Sequence, residues 1–271
     1  MLTTSKQMIL DAQRGGYAVG SFNTSDLEIT KAIINAGQRL NAPVMVETSE
    51  KAIAYAGLDE IADIVKQLAK DAKIPVALHL DHGGSLDIVS KCLNVGYTSV
   101  MFDGSKLPLS ENRLYTKHAV EMAHRHDVPC EGELGSLAGD YTNADDVKDF
   151  VKYTGVDFLA VAIGSQHGVG KDEKLSIELL KNIHSKTSKP LVLHGASGVS
   201  EQDIKDAIKN GICKINIDTD IRHTYSKAMR EILTKYPQMD DPRDIMQKVM
   251  AEIQAVVEEK IKLFGSEGKA Y

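Results

Sequence analysis

The sequence predicts an α/β fold, namely a closed (β/α)8 barrel of the TIM type with extra C-terminal helices. Short runs rich in apolar and β-branched residues recur along the chain at intervals of roughly 20 to 35 residues, and segments with helical spacing separate them. There are eight such runs, and the chain of 271 residues has the length of one barrel, which typically takes ~250 residues. We therefore expect one domain over residues 1–271.

The eight predicted strands follow in chain order. They cover residues 18–23, 42–49, 75–81, 99–104, 129–135, 157–164, 190–196 and 213–219. Proline stands at or near the start of several of them, as at Pro75 and Pro190, where a missing backbone N–H removes no ladder hydrogen bond. A doubly wound open sheet is the alternative, but such sheets usually have fewer strands.

Capping residues mark several of the predicted helices. Ser85, Ser110 and Ser200 each precede an acidic or amphipathic stretch, which is typical of a helix start. After the last strand, residues 221–236 and 242–264 read as two further helices. They are the extra C-terminal helices of the predicted fold.

The composition excludes several classes of protein. Hydrophobic residues make up 42% of the chain and charged residues 26%, as in a packed globular protein rather than a disordered one. The 32 Lys and Arg residues against 38 Asp and Glu residues give a net charge of −6, which argues against nucleic acid or an anionic membrane as a partner. No apolar run approaches the ~20 residues that span a bilayer, and the N-terminal segment lacks the apolar core of a signal peptide.

The cysteines indicate the redox compartment. Cys92, Cys130 and Cys213 lie far apart and form no CxxC motif. They therefore predict neither a disulfide framework nor a thiolate zinc site. We expect a reduced, cytoplasmic location.

Three histidines fall at the C-terminal ends of predicted strands, where barrels of this kind carry their chemistry. His82 follows the third strand, His167 the sixth and His194 the seventh. Three imidazoles and one open position form the ligand set of a catalytic zinc ion, because the fourth position takes water or substrate. The alternative is that each is an ordinary hydrogen-bonded histidine at a strand end. His79 has the parity of Asp81 and is expected to lie, neutral, inside the barrel.

Carboxylates accompany these histidines. Asp81 directly precedes His82, so it would lie beside a bound metal without having to bind it. A nearby cation keeps a carboxylate ionised, so Asp81 could act as a base; the alternative is that it only orients a histidine ring. Asp103, Glu131 and Glu133 end the fourth and fifth strands. Each could hydrogen-bond to a metal-binding histidine or form an ion pair inside the barrel. Asp103 and Glu133 could also hold a second metal.

Two turns near the ends of the last strands indicate a phosphate site. HGASG (194–198) and NIDT (216–219) fall where such barrels bind phosphate with backbone N–H groups, hydroxyls and a helix N-terminus. Lys171 adds a local positive charge. Val199 breaks the GxSxG nucleophile motif, and no GxGxxG or GxxxxGK(S/T) motif occurs. The turns therefore favour a phosphorylated substrate over a serine hydrolase or a nucleotide-binding fold.

At these residues the chain resembles the class II, metal-dependent ketose-bisphosphate aldolases over essentially its whole length. The segments that carry the resemblance are YAVGSFN (17–23), HLDHG (79–83), SVMFDGS (99–105), GELG (132–135), AVAIG (160–164), HG (167–168), LHGASG (193–198), KINIDT (214–219) and DPR (241–243). The family is a homo-oligomeric TIM barrel that splits fructose or tagatose 1,6-bisphosphate reversibly into dihydroxyacetone phosphate and glyceraldehyde 3-phosphate. The resemblance thus implies a phosphorylated ketose as substrate and a homodimer or homotetramer.

The resemblance also implies roles for individual residues. His82, His167 and His194 would hold one zinc ion. A monovalent cation is a second cofactor that some members would need, and whether this chain needs one is open. Asp81 would move the proton of the C4 hydroxyl. The residues that would hold the C1 phosphate are Gly168, Lys171, Gly195, Ser197, Asp218 and Thr219.

Other positions match the family near the rest of the substrate. Asn216 would contact the enediolate, and Asn23 and Ser49 match positions close to the sugar. Arg243 matches the residue that reaches the C6 phosphate, in some members from a neighbouring subunit.

The chain departs from the family pattern after Gly135. The family usually has a mobile loop there, which supplies an acidic residue for proton exchange at the enediolate carbon. Here residues 136–140 run straight into 141–143, and that glutamate is missing from the sequence. A catalytically impaired barrel that only binds sugar phosphate is therefore an alternative.

The substrate and the mechanism keep further alternatives. GICKIN (211–216) resembles tagatose-bisphosphate aldolases, whereas DIR (220–222) resembles fructose-bisphosphate members. A guanidinium fixes a phosphate more tightly than a lysine, so Arg222 and Arg243 favour fructose 1,6-bisphosphate. A zinc hydrolase could use the same histidines, and Lys214, which faces the barrel by alternation, could act as the lysine of a class I aldolase.

Overall fold

The strands of the computed structural model, which describes residues 1–135, 141–165 and 174–270, form a closed barrel. They are β1 Val19–Asn23, β2 Val44–Ser49, β3 Val76–Gly83, β4 Ser99–Phe102, β5 Cys130–Leu134, β6 Phe158–Val161, β7 Leu191–Leu193 and β8 Ile212–Ile217. All pairings are parallel and join neighbours in chain order, and β8 pairs with β1. The predicted α/β barrel is therefore confirmed.

Helices surround this barrel. They are α1 Ser5–Gly15, α2 Leu27–Arg39, α3 Glu50–Ala56, α4 Leu58–Asp71, α5 Leu86–Asn94, α6 Leu109–His124, α7 Ala144–Thr154, α8 Ile177–Lys186, α9 Glu201–Lys209, α10 Thr219–Lys235 and α11 Pro242–Leu263. None of the helices in the described part of the chain combines the length and the apolar character that crossing a membrane requires.

The barrel interior changes from apolar to polar along its axis. At the N-terminal end of the strands, Met8 and Ile9 of α1 pack against inward side chains such as Met45 and Phe158, and all four are buried. The next positions along β2 and β8 are charged, with Glu47 and Lys214 completely buried. The apolar layer closes one end of the barrel, so the polar layer lies towards the rim where the strands end.

The predicted C-terminal helices are confirmed as α10 and α11. Side chains at every fourth position of α11, Val249, Ile253, Val257 and Ile261, are buried, because residues four apart share one face of a helix. Asp241 caps α11 by accepting a hydrogen bond from the backbone N–H of Arg243 at 2.9 Å.

Several local predictions need correction. The predicted strands 157–164 and 213–219 end earlier, at Val161 and Ile217. The predicted strand 190–196 ends at Leu193, because Gly195 has a left-handed φ of 65° and Ala196–Gly198 forms a turn of 3-10 helix. Ser110 does not cap a helix, since α6 already begins at Leu109 with Pro108 before it. Ser85 and Ser200 do cap α5 and α9, each accepting a hydrogen bond from a backbone N–H.

Candidate active site

Two of the three predicted metal ligands meet at the rim of the barrel. His82 lies near the end of β3 and His194 directly follows β7, and the His82 Nε2 and His194 Nδ1 atoms are 3.0 Å apart. The backbone of His82 has a φ of 50°, a left-handed conformation that is uncommon outside glycine and concentrates at functional sites. The strand ends thus aim two imidazole nitrogens at one point.

The other nitrogen of each ring faces a carboxylate. His82 Nδ1 lies 2.8 Å from Asp103 Oδ2, and His194 Nε2 lies 2.8 Å from Glu131 Oε1. An ionised carboxylate only accepts hydrogen bonds, so it favours the tautomer whose N–H points towards it. His194 Nδ1 is then left with a lone pair aimed at His82 Nε2, so a proton or a metal ion at this point satisfies both nitrogens. Carboxylates behind the rings are also the usual support of histidines that bind zinc.

The third predicted ligand, His167, lies outside the described residues. Among the residues that are described, ligand atoms of Asp81, His82 and His194 lie within 4.8 Å of one another, and so do those of His82, Asp103 and Glu133. The donor set therefore fits a divalent metal that prefers nitrogen and oxygen ligands. Sequence reasoning identified each of these residues.

Asp81 lies beside this pair and is held by two amides. Asn23 Nδ2 donates to Asp81 Oδ2 at 3.0 Å, and Asn216 Nδ2 donates to Asp81 Oδ1 at 2.9 Å. Burial alone would raise the pKa of Asp81, but His82, His194 and Lys214 together lower the pKa to about 2. The carboxylate is therefore ionised and oriented at neutral pH, as a base must be.

The surrounding carboxylates make this point of the rim strongly attractive to positive charge. Burial lowers the pKa of His82, yet Asp81, Asp103 and Glu133 outweigh burial and raise that pKa to about 10. Burial and the Asp103 carboxylate raise the pKa of Glu133 to about 8. Glu133 Oε2 lies 3.6 Å from His82 Nδ1, so both Asp103 and Glu133 lie beside the proposed ligand His82, and their role towards a metal stays a prediction.

A buried charged layer lies beneath the site. Lys214 Nζ lies 3.0 Å from Glu131 Oε2 and 3.8 Å from Glu47 Oε2, and all three side chains are fully buried. Burial lowers the pKa of Lys214, but Glu131 and Glu47 outweigh it and raise the pKa. Lys214 is thus a held cation rather than the neutral amine that forms a Schiff base. His79 is neutral inside the barrel, as predicted, because burial lowers its pKa to about 3.

The predicted phosphate residues border a small cavity next to Asp81. Its lining combines the rim residues with the two turns, namely Asn23, Asp81, His82, Gly195, Ser197, Asn216, Asp218 and Thr219. Thr219 opens α10, so the N-terminus of a long helix faces this cavity, and helix N-termini favour phosphate. Gly168 and Lys171 lie outside the described residues.

A second cavity of about 510 Å³ adjoins the first through Asn23 and Asp218. It contains the predicted residues Ser49 and Arg222, and also Lys51 of α3, which sequence reasoning missed. Arg222 already pairs with Asp218, with 2.7 Å between Arg222 Nη2 and Asp218 Oδ2. A signal was present in the sequence, since Lys51 stands two positions after Ser49 at the end of a predicted strand.

Arg243 does not join this site within one chain. It lines neither cavity, its side chain is 88% exposed, and Arg243 Nη2 lies 2.6 Å from Asp241 Oδ2. Its predicted contact with the C6 phosphate therefore stays a prediction that needs a neighbouring subunit.

Comparisons with known proteins agree with this geometry. A family model described as fructose-bisphosphate aldolase class-II matches residues 3–269. The YdjI aldolase from Escherichia coli K12 is 35% identical, with 100% of both chains covered and a TM-score of 0.93. A putative fructose-1,6-biphosphate aldolase from Coccidioides immitis is 26% identical over 97% of this chain and 96% of that one, with a TM-score of 0.89. The fructose-bisphosphate aldolase from Campylobacter jejuni shares the fold, with a TM-score of 0.88 at 24% identity over 99% of this chain and 96% of that one.

Proposed function

The chain belongs to the class II fructose-bisphosphate aldolase family, and we propose that it is a zinc-dependent enzyme that cleaves fructose 1,6-bisphosphate reversibly into dihydroxyacetone phosphate and glyceraldehyde 3-phosphate. The observation that carries this proposal is the pair of imidazole nitrogens 3.0 Å apart beside an oriented carboxylate. Retro-aldol cleavage of a ketose requires an electron sink and a base next to each other, and a metal ion is one such sink.

His82 and His194 would hold the zinc ion, together with His167 outside the described residues. Zinc bound there would polarise the ketone carbonyl and stabilise the negative charge that C–C cleavage places on its oxygen. With the ion bound, Asp103 and Glu131 would accept from the other nitrogen of each ring and so keep both rings in the tautomer that binds a metal.

Asp81 would accept the proton of the C4 hydroxyl. As the C3–C4 bond breaks, its electron pair moves towards the ketone, C4 becomes an aldehyde carbon, and the hydroxyl proton passes to the carboxylate. Asn23 and Asn216 donate to separate oxygens of Asp81 and so fix the plane of the carboxylate. Such orientation lowers the entropic part of the barrier.

The two cavities would take the two ends of the substrate. Gly195, Ser197 and the start of α10 suit the C1 phosphate, because hydroxyls and a helix N-terminus bind anions. The larger cavity would take the C4–C6 half, whose phosphate would meet Lys51 and Arg222. Asp218 partly neutralises the charge of Arg222. Lys51 forms no ion pair with a carboxylate among the described residues, so its charge is available for the phosphate.

A comparison of substrates tests the proposal. We expect the zinc-loaded protein to release dihydroxyacetone phosphate from fructose 1,6-bisphosphate with a higher kcat/KM than from its C4 epimer, tagatose 1,6-bisphosphate. A higher kcat/KM for tagatose 1,6-bisphosphate would change the proposed substrate but not the proposed aldolase reaction. Binding of both sugars without release of dihydroxyacetone phosphate would instead favour the impaired barrel inferred from the missing loop acid.

The distal cavity gives a sharper test through Lys51. Replacing Lys51 with Gln removes a charge that would contact the C6 phosphate, and a charge-assisted contact contributes about 1.5–3 kcal/mol. We expect kcat/KM to fall about 10- to 150-fold for fructose 1,6-bisphosphate but to stay unchanged for fructose 1-phosphate. Lys148→Gln, on the exposed surface of α7, is the control. Equal losses for both sugars would contradict this placement.

The proposal also includes a homo-oligomer, either a homodimer or a homotetramer. In a homodimer or homotetramer, Arg243 of one chain would be able to approach the distal cavity of another, because it is exposed at the start of α11. Light scattering gives the number of chains, and Arg243→Ala should raise KM for a bisphosphate without changing that number.

A further inference from the structure

Lys214 occupies the centre of the buried layer beneath the rim. Its side chain is fully buried, although burying an ammonium group is costly unless the surroundings compensate it. Three acceptor groups surround its Nζ atom, namely Glu131, Glu47 and the side chain of Asn216. Two of these three groups lead directly to residues of the proposed reaction.

The first connection runs to the proposed base. Lys214 Nζ donates to Asn216 Oδ1 at 2.7 Å, and Asn216 Nδ2 donates to Asp81 Oδ1 at 2.9 Å. An ammonium group only donates hydrogen bonds, so it fixes which end of the Asn216 amide faces it. The NH2 group of Asn216 must then point towards Asp81. Lys214 therefore determines the orientation of the amide that holds the base.

The second connection runs to a proposed metal ligand. Glu131 Oε2 lies 3.0 Å from Lys214 Nζ, while Glu131 Oε1 lies 2.8 Å from His194 Nε2. One oxygen of Glu131 thus holds the lysine and the other holds the ring. Fixing this carboxylate fixes the direction in which His194 presents its Nδ1 atom.

We propose that Lys214 is a positioning residue that orients Asp81 through Asn216 and His194 through Glu131. The Asp81 connection rests on the proposed aldolase function, whereas the His194 connection concerns metal retention in the resting protein. By strand alternation alone Lys214 is a candidate Schiff-base lysine, but its ion pairs with Glu131 and Glu47 suit a fixed cation beneath the site.

Lys214→Met tests both connections at once. We expect zinc affinity, measured by competition with a chelator, to fall about tenfold, the lower end of what loss of support behind a ligand produces. At saturating zinc we expect kcat to fall about 100-fold, because small displacements of a base are costly. KM should stay within about threefold, since positioning of the base does not change binding of the phosphates.

Further variants separate the two connections. Glu131→Gln should weaken zinc binding but leave kcat of the zinc-loaded protein within about threefold. The double variant Lys214→Met with Asn216→Ala should be no slower than Asn216→Ala alone, because groups that act through one another are not additive. The control is Lys66→Met, which removes a partly buried lysine on α4, a helix that contributes no residue to the proposed site.

The outcomes decide between positioning and a purely structural role. Unchanged zinc affinity and unchanged kcat in Lys214→Met, with only a lower Tm, would overturn the proposal. Additive losses with Asn216→Ala would overturn the Asp81 connection. If Lys214→Met does not fold, the double variant Lys214→Met with Glu131→Gln removes both partners of the ion pair. Its kcat, compared with that of Glu131→Gln alone, then tests the Asp81 connection. If the unmutated protein cleaves no ketose, the aldolase proposal fails, while the zinc measurement still decides the His194 connection.

Discussion

Replacing Asp81 with Asn removes the proposed base and leaves the size of the side chain nearly unchanged. In the structure both neighbouring amides donate to Asp81, with Asn23 Nδ2 and Asn216 Nδ2 at 3.0 and 2.9 Å. An asparagine at this position offers one oxygen and one NH2 group, so one neighbouring NH2 group would lose its acceptor. Lys214 holds the amide of Asn216, so Asn23 is the residue that must rotate.

The expected size of the effect follows from these contacts. Loss of a general base typically lowers kcat by about 10²–10⁴, which corresponds to about 2.7–5.5 kcal/mol in the barrier. A buried donor left without an acceptor costs about 1–3 kcal/mol, which sets the upper range of the loss in stability. Zinc should stay bound, because the proposed ligands are the three histidines, and both oxygens of Asp81 already accept hydrogen bonds from Asn23 and Asn216.

The assay combines three measurements on the same preparation. Zinc content per chain, Tm and the rate of dihydroxyacetone phosphate release are compared with those of the unmutated protein and of Asp87→Asn, an exposed carboxylate paired with Lys91 on α5. Zinc content should be equal in all three proteins while kcat falls only in Asp81→Asn. Loss of zinc together with activity would show that Asp81 binds the metal, and a kcat within tenfold of the unmutated value would refute its role as the base.

Three further predictions concern the metal, the thiols and the core. His194→Ala should lose zinc and activity together, because it removes one of the facing nitrogens, and retention of stoichiometric zinc would argue against the assigned ligand. Burial raises the pKa of Cys92 and of Cys213 to about 12 and also raises that of Cys130, so Ellman's reagent should find no reactive thiol in the native protein and three after unfolding. A native thiol that reacts within seconds would contradict this. Phe150 of α7 is fully buried, so Phe150→Ala should lower the free energy of unfolding by about 3–5 kcal/mol in urea titration; a loss below about 1 kcal/mol would show a looser core than the structure has.

The barrel could be predicted because its strands repeat a simple pattern. Short apolar runs separated by helical segments leave few arrangements other than a closed parallel sheet once there are eight of them. Strand ends were less predictable, as the run 190–196 shows. No proline follows Leu193 to mark the end of the strand, but Gly195 has a positive φ and the strand ends before it. A glycine in sequence does not reveal its own φ.

The rim residues were predictable because they follow strands, and the parallel direction brings strand ends together. His82, His194, Asp81 and Asn216 could be found in this way. The partners beneath them could not be identified one by one, because Glu47, Glu131 and Lys214 contact each other across β2, β5 and β8. Parity along each strand shows that such side chains point inwards, but pairing depends on the stagger of strands that are distant in sequence.

In the proposed reaction, one zinc ion per chain is needed for cleavage of a phosphorylated ketose. The most direct measurement is a zinc titration of the metal-free protein, in which release of dihydroxyacetone phosphate from fructose 1,6-bisphosphate is recorded after each addition. We expect no release without metal and a linear rise in the rate of release that ends at one zinc per chain. Full release from the metal-free protein, or no release at any zinc content, would contradict it.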